Sequence, residues 1–262
     1  MSHRLFVGVR AIGACAVLGA LAGSAQGSII QWGTGWSNNA GAEYLRGALS
    51  GSTVVDGVQA DVLVQTFGTA TGVNSFLGTT PWATDTFNGD QGPGDPALAI
   101  GDSNSRNNGT TFDNYVKVTI SFSQLIDITR LALGDVDING NSWQDVVVVL
   151  GSNGGSNVAA SYSPESNAFF ETRDYDFPDS GVSYRGVTGI APSANDTANA
   201  QFEVSFAGLV DKIEILYWNG PDTTNSSGRG IYIQNIEFVP APGAVALAGA
   251  GLLVGLRRRR TP

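Results

Sequence analysis

The residues best spaced for chemistry are oxygen-bearing side chains at alternate positions of segment 135–141, followed by one further aspartate. The pattern Asp-x-Asp-x-Asn-Gly matches the first half of an EF-hand loop, whose alternate oxygens coordinate one Ca²⁺ ion. Carboxylates at positions i and i+2 of a strand also point the same way, so a strand could present them to a cation. The ligands that this hypothesis assigns are Asp135, Asp137, Asn139 and Asp145.

The same segment also fits a structure without a metal. The twelfth position of an EF-hand loop would be Val146 instead of glutamate, and Val136 and Ile138 suggest the end of a strand. Asn139-Gly140 favours a tight turn in which aspartates accept hydrogen bonds from nearby backbone N–H groups. The sequence is therefore compatible with both a calcium site and a strand that ends in a turn.

A second group of acidic residues could in principle hydrolyse a glycosidic bond. Such chemistry needs two carboxylates about 5–9.5 Å apart, and their separation decides the stereochemical outcome. No two residues of this group stand out as a general acid and its base, so we expect a solvated loop instead. The group consists of Glu171, Asp174, Asp176 and Asp179.

The five tryptophans offer the best route to carbohydrate binding, because exposed aromatic side chains on a β-sheet can stack against sugar rings. Packing in a core or at a sheet edge is the commoner role of tryptophan. Three of the five lie in polar, turn-rich surroundings and are the better stacking candidates. They are Trp36, Trp82 and Trp143.

Residues 28–238 lack three residue types altogether, since the single histidine, cysteine and methionine are His3, Cys15 and Met1. This absence excludes disulfides, Cys/His metal cages, and Ser-His-Asp or Cys-His catalysis. The same residues carry 8 basic and 23 acidic side chains, a net charge of −15. That charge repels nucleic acid phosphates and attracts cations such as Ca²⁺. We therefore predict a protein that is not an enzyme and has no nucleic acid partner.

Residues 1–27 have the three parts of a secretory signal peptide. Arg4 and Arg10 supply the positive region, segment 11–22 is apolar, and small residues follow it. Cleavage after Ala25 or Gly27 would satisfy the preference for small residues at the cleavage site. The sequence therefore predicts export of the chain.

The C-terminal end combines prolines, a short apolar run and a basic cluster. The run 243–256 has 14 residues, about 21 Å of helix at ~1.5 Å per residue, whereas a comfortable membrane span needs ~20 residues. The positive-inside rule would keep the arginines in the cytoplasm and the preceding domain outside. The residues of this pattern are Val239, Pro240, Ala241, Pro242, Arg257, Arg258, Arg259 and Arg260.

This arrangement resembles the PEP-CTERM sorting signal, in which a Pro-Glu-Pro motif precedes a short apolar helix and a terminal basic cluster. Ala241 stands where the family usually has glutamate. The resemblance covers residues 239–262 and implies an exosortase-type membrane protease as a partner. That protease would cut near Pro240–Pro242 and remove a tail that is only transiently inserted in the membrane. An ordinary tail anchor is the alternative, and the short run favours sorting.

Period-two alternation predicts an all-β fold for residues 28–238. Strands are expected at Val58–Phe67, 116–122, 131–133, 146–150, 201–206, 213–217 and 231–238, the last with a bulge at Gln234-Asn235. Segment 146–150 is continuously apolar, as expected of a central strand covered on both faces. Segment 68–113 is expected to be loop with one or two short strands, and 42–49 is the best short helix. Eight or nine strands predict a two-sheet, jelly-roll-like β-sandwich with long Gly/Asn/Thr-rich loops, flanked by the apolar helices of the two ends.

Residues 125–238 also resemble a domain common among exported proteins that carry this tail, which implies a β-sandwich and no particular activity. The marks of the resemblance are 131–137, 143–148, 219–221 and 230–238. The sequence thus predicts a non-catalytic protein of the cell surface or of an extracellular polysaccharide matrix. A calcium-stabilised carbohydrate-binding module and an uncharacterised glycan hydrolase are the alternatives.

Overall fold

The fold is all-β, with every strand pairing antiparallel. The computed structural model describes residues 27–32, 50–68, 82–89, 92–101, 114–176, 182–193, 200–223 and 230–241. The predicted helix 42–49 and the predicted apolar helices of the two ends lie outside these residues. Within these ranges the chain forms no α-helix. Its strands are β1 (Ser28–Ile30), β2 (Ser50–Val55), β3 (Val58–Phe67), β4 (Trp82–Gly89), β5 (Gly92–Ile100), β6 (Tyr115–Gly134), β7 (Ile138–Asn139), β8 (Trp143–Asn153), β9 (Ser156–Val158), β10 (Ala160–Ser163), β11 (Phe170–Asp176), β12 (Ser183–Gly189), β13 (Phe202–Phe206), β14 (Val210–Asn219) and β15 (Ile231–Pro240).

The 20-residue strand β6 organises the fold because its two halves pair with different neighbours. Its first half, up to Phe122, lies between β3 and β14, and we call the series β2-β3-β6-β14-β8-β12-β11 the first ladder. Its second half pairs with β15 from Ile126 onward and with β13 at Ala132 and Leu133, in the second ladder β10-β13-β6-β15-β5-β4, while Ile126 also pairs with Val210 of β14. The segments predicted at 116–122 and 131–133 are therefore one continuous strand.

One apolar core contains side chains from both ladders. Alternate residues of β6, β14 and β15 point into it, and the Phe122 and Phe238 rings lie 6.4 Å apart at their centroids. Burying one such valine, leucine, isoleucine or phenylalanine side chain contributes roughly 1.5–3 kcal/mol. The alternation read from the sequence is therefore confirmed as the pattern that fills this core.

A second, smaller cluster covers the other face of β8 and β14. Val146, Val148, Leu216 and Trp218 are buried there, and the Tyr175 ring meets the indole of Trp218 edge-on at 5.1 Å. Because β8 contributes to both clusters, the prediction of a strand covered on both faces is confirmed.

Several strands were not predicted, and the expectation of eight or nine was wrong. The pair β4–β5 fills most of the described part of segment 68–113, so these two strands are longer than expected. Asp95 and Pro96, expected in a loop, pair with Phe87 and Thr86. Proline is tolerated there because β5 pairs with β15 only at residues 98–100, which leaves Pro96 without a ladder partner on that side. The bulge predicted at Gln234-Asn235 is confirmed by a register shift between Ile233 and Ile236.

Candidate functional site

Three of the segments marked in the sequence meet at one end of the fold. The end of β6 leads through Asp135–Asp137 into the start of β8, and β8 pairs with the end of β14. The Asp145 N–H donates to the Asp137 carbonyl at 2.8 Å, and the Gly220 N–H donates to the Gln144 carbonyl at 2.8 Å. We call Asp135, Asp137 and Asp145 the aspartate cluster.

A tight hairpin, formed by β7 and the start of β8, follows the first two aspartates. Asn139 pairs with Trp143, the Ser142 N–H donates to the Asn139 carbonyl at 2.8 Å, and Gly140 has a φ of +51°. The turn at Asn139-Gly140 is therefore confirmed, and glycine suits its left-handed backbone. Asp135 also has a positive φ, +64°, which aspartate tolerates better than most residues.

Both carboxylate oxygens of Asp137 accept hydrogen bonds from the protein. The Trp143 Nε1–H donates to Oδ1 at 3.1 Å, and the backbone N–H of Ser193 donates to Oδ2 at 2.8 Å. The Asp137 side chain thereby connects the start of β8 to the segment that follows β12. Hydrogen bonds of this kind compensate for the cost of burying a carboxylate.

Asp145 is fully buried beside the other two aspartates. Burial raises the pKa of its carboxyl well above the usual value, and the charges of Asp137 and Asp135 raise it further. The Tyr217 hydroxyl donates to Oδ1 at 2.7 Å and opposes part of this increase, as does the Asp137 N–H, which donates to Oδ2 at 3.3 Å. Folding therefore favours the protonated form of this carboxyl.

The four residues assigned to calcium do not all come together. The three aspartates are close enough for Asp137 and Asp135 to raise the pKa of Asp145, whereas Asn139 lies exposed in the hairpin. The oxygens of Asp137 and Asp145 accept the protein hydrogen bonds given above. Among the residues described by the structure, no group of three or more His, Cys, Asp or Glu side chains is placed to hold a metal ion.

Gln144 and Gly189 complete the packing at this end, although the sequence marked neither for such a role. The Gln144 amide donates to the Gly189 carbonyl at 2.9 Å and to Asp222 Oδ2 at 2.9 Å, and it accepts from the Asp222 N–H at 3.0 Å. A Cβ on Gly189 would lie 2.1 Å from the backbone C and O of Asp137. The only sequence signal for Gln144 is a polar residue next to the apolar run of β8.

The second acidic group lies largely on strand β11, so the prediction of a loop was wrong for its described members. Glu171 pairs with Arg173 at 2.7 Å, Asp174 lies 3.8 Å from Arg185, and Asp176 accepts a hydrogen bond from Ser183. Asp179 lies outside the described residues. The described carboxylates thus have three different partners, Arg173, Arg185 and Ser183.

Asp222 connects this group to the aspartate cluster. Its carboxylate accepts a hydrogen bond from the Gln144 amide and lies 3.0 Å from the Arg173 guanidinium. The hydrogen bond from Gln144 is the larger cause that lowers the pKa of Asp222, and the interactions with Arg173 lower it further. The described acidic side chains at this end thus serve in hydrogen bonds and ion pairs that join strands.

Of the three stacking candidates, Trp143 is the one whose side chain the structure describes. Trp143 is half-buried with its indole N–H directed to Asp137, Trp82 begins β4, and Trp36 lies outside the described residues. The remaining two tryptophans, Trp32 and Trp218, are completely buried.

The predicted sorting motif begins inside the sheet. Val239 pairs with Asp127, Pro240 pairs with Ile126, and the Ala241 N–H donates to the Leu125 carbonyl at 3.0 Å. Strand β15 ends at Pro240, whose backbone nitrogen has no hydrogen to donate to a neighbouring strand. The other motif residues, Pro242 and Arg257 to Arg260, lie outside the described residues.

The described residues contain no helix long and apolar enough to cross a membrane. Comparisons of the chain with known protein families, with curated proteins and with solved structures found no match.

Proposed function

We propose that this chain is an exported surface or matrix protein, sorted by its C-terminal tail and without catalytic activity. The observation that carries the proposal is the junction at Val239–Ala241, where the last hydrogen bonds of β15 meet the start of the sorting pattern. Backbone held in a sheet is a poor protease substrate, so an exosortase-type protease would act beyond Ala241. The signal peptide pattern in residues 1–27 supplies the route of export.

The body would serve as a rigid unit, and we propose that the two ladders form the two layers of a jelly-roll-like sandwich. The contact that supports this proposal is made by Tyr162 of β10, in the second ladder. Its hydroxyl accepts from the Val149 N–H of the first ladder at 3.1 Å and donates to the Arg185 carbonyl at 2.8 Å. The single core that contains residues of both ladders is the packing expected of two facing sheets.

The charge pattern supports a structural or binding role outside the cell. The described acidic side chains near the aspartate cluster have partners in hydrogen bonds or ion pairs, which leaves no pair arranged as acid and base. The net charge of −15 in residues 28–238 disfavours nucleic acid and favours solubility. An extracellular polysaccharide is the partner that we propose for the exported domain.

The end of β15, where the sorting pattern begins, and the aspartate cluster lie at opposite ends of the second ladder. Strand β15 runs ten residues from Ile231 to Pro240, about 33 Å at ~3.3 Å per residue. Ile231 begins near Ile100 and the end of β6, whereas Pro240 ends beside Ile126. A chain attached through the C-terminus that cleavage beyond Ala241 creates would therefore present the aspartate-cluster end outward.

Removing the tail tests the sorting proposal. Deletion of residues 243–262 should release the protein into the medium, whereas the full chain should fractionate with the cell surface or matrix. Replacing only Arg257, Arg258, Arg259 and Arg260 by serine is the matched control, and it should impair sorting without removing the apolar run. Retention of the deletion variant at the surface, in the same amount as the full chain, would refute the sorting role.

A further inference from the structure

A gap along one edge of β8 creates a groove in the first ladder. On this edge Val146 and Val147 pair with β12, while Gly151 to Asn153 pair with β9. Among the described strands, none pairs with residues 148–150 on the same edge. Strand β12 pairs with β8 only at Val187 and Thr188, whereas its other edge pairs with β11 along its whole length, from Ser183 to Gly189.

Tyr162 occupies the point where the two strands separate. The phenol is almost fully buried, and its hydroxyl joins the Val149 N–H to the Arg185 carbonyl, two groups on strands that do not pair there. Desolvation raises the pKa of Tyr162 to about 12, so the hydroxyl stays protonated at physiological pH. The side chain thus satisfies both backbone groups while it holds the strands apart.

The resulting groove has a volume of about 320 Å³, which lies within the range of small-ligand sites. Its apolar lining includes Val149 and Ala160, and its polar lining includes Asn157, Tyr184 and Arg185. The Tyr184 ring packs against the smaller hydrophobic cluster and is therefore fixed in orientation. An apolar floor, one fixed aromatic ring and several hydrogen-bonding groups match a sugar ring, which has an apolar face and a rim of hydroxyls.

The charges around Arg185 indicate which sugars would fit. Its guanidinium lies 3.4 Å from Glu165 and 3.8 Å from Asp174, so two carboxylates already offset its positive charge. A carboxylate on the ligand would meet these acids and the negative charge of the whole domain. We propose that the groove binds one or two units of a neutral polysaccharide, a ligand class that rests on the matrix association proposed above.

Affinity electrophoresis of the purified secreted protein tests this site, with dextran, galactomannan and hydroxyethyl cellulose as neutral probes and alginate as the acidic one. We expect at least one neutral polymer to retard the protein and alginate not to do so. Tyr184→Ala and Arg185→Ala should each weaken binding by about tenfold, since stacking and hydrogen bonding both contribute. Tyr184→Phe retains the ring and should bind nearly as well, and Lys212→Ala is the control for loss of an exposed cation outside the groove.

Three results would overturn the groove proposal. They are the absence of retardation by any neutral polymer, stronger retardation by alginate, and unchanged binding by both alanine variants with melting temperatures equal to the parent. Arg185 is half-exposed, so its variant should fold even if Tyr184→Ala does not. None of these results bears on sorting. The tail deletion is measured by where the protein is found, whereas the groove variants are measured by how strongly they bind polysaccharide.

Discussion

Gly189→Ala should lower the free energy of unfolding by about 3 kcal/mol or more, because the added methyl group would meet the backbone of Asp137. A Cβ at this position would lie 2.1 Å from the backbone C and O of Asp137, and no flexible side-chain end could move aside. Overpacking in a well-packed region typically costs about 1–3 kcal/mol, and a clash with fixed backbone belongs at or above the top of that range. Urea denaturation followed by tryptophan fluorescence measures the change.

The Asp137 backbone has little freedom to move away from such a methyl group. Its carbonyl accepts from the Asp145 N–H, and its side chain accepts from Trp143 and from the Ser193 backbone. Gly208→Ala is the matched control, because a Cβ there meets nothing within 4 Å, and its cost should stay below about 0.5 kcal/mol. Equal stabilities for the two variants would show that β12 does not approach Asp137 as described.

Asp145→Asn should make the protein more stable at neutral pH and change the pH dependence of its stability. Folding raises the pKa of the Asp145 carboxyl, mainly because the side chain is buried. The stability that its protonated form contributes is complete below the pKa of the unfolded chain and is lost as the pH rises through the folded pKa. Asparagine is neutral throughout, so it avoids this loss.

The amide can keep both hydrogen bonds of the carboxyl. Its oxygen can accept from the Asp137 N–H, and its nitrogen can donate to the Tyr217 hydroxyl oxygen. The advantage of the variant should therefore grow with pH, by about 1.4 kcal/mol for each unit that separates the folded and unfolded pKa values. Urea denaturation between pH 3 and pH 8 in the presence of a chelator measures it.

Asp61→Asn is the control for this experiment. Asp61 is an exposed carboxylate on β3, where it accepts from the Gln59 amide. Its variant should follow the parent curve within about 0.5 kcal/mol across the pH range. If the stabilities of the parent and Asp145→Asn changed in parallel with pH, the Asp145 carboxyl would be ionised in the folded protein, either in contact with water or paired with a cation. That result would contradict the buried geometry of the aspartate cluster.

The sequence predicts the core strands well because alternation directly reflects which face is buried. The bounds predicted for Val58–Phe67 match those of β3, and the strand predicted at 201–206 begins one residue before β13. Strands with weak alternation were missed, such as β11, where polar residues lie at consecutive positions in Glu171–Asp174. The continuity of β6 was also missed, since the polar residues Ser123 and Gln124 interrupt its apolar pattern while the backbone remains extended.

The site was predicted only in part, because spacing identifies residue types and not their partners. Asp135 and Asp137 lie between the end of β6 and the Asn139-Gly140 turn, as their spacing indicated, but the Asp137 carboxylate accepts from the Trp143 side chain and from distant backbone instead of from local N–H groups. Tyr217 is 72 residues distant from Asp145 in the chain, and Ser193 is 56 residues distant from Asp137. Such contacts depend on tertiary pairing, which no local pattern encodes.

The groove beside Tyr184 also depends on tertiary contacts that the sequence does not reveal. Its sequence signals, Tyr184 and Arg185 in a short polar strand, resemble many surface strands. The groove exists because the Tyr162 phenol separates β12 from β8, and that contact joins two ladders whose order cannot be read from the sequence. Sequence reasoning marked tryptophans as stacking candidates, and the described one, Trp143, contacts Asp137 and is not among the residues that line this groove.

The most direct test of the central claim is the intact mass of the mature protein isolated from its native cell. The account predicts a chain that begins after Ala25 or Gly27 and ends beyond Ala241, with the apolar run and the four arginines removed. Two results would contradict the account. One is a mass that still includes Arg257 to Arg260, and the other is a mass that places the C-terminus within the paired residues before Val239.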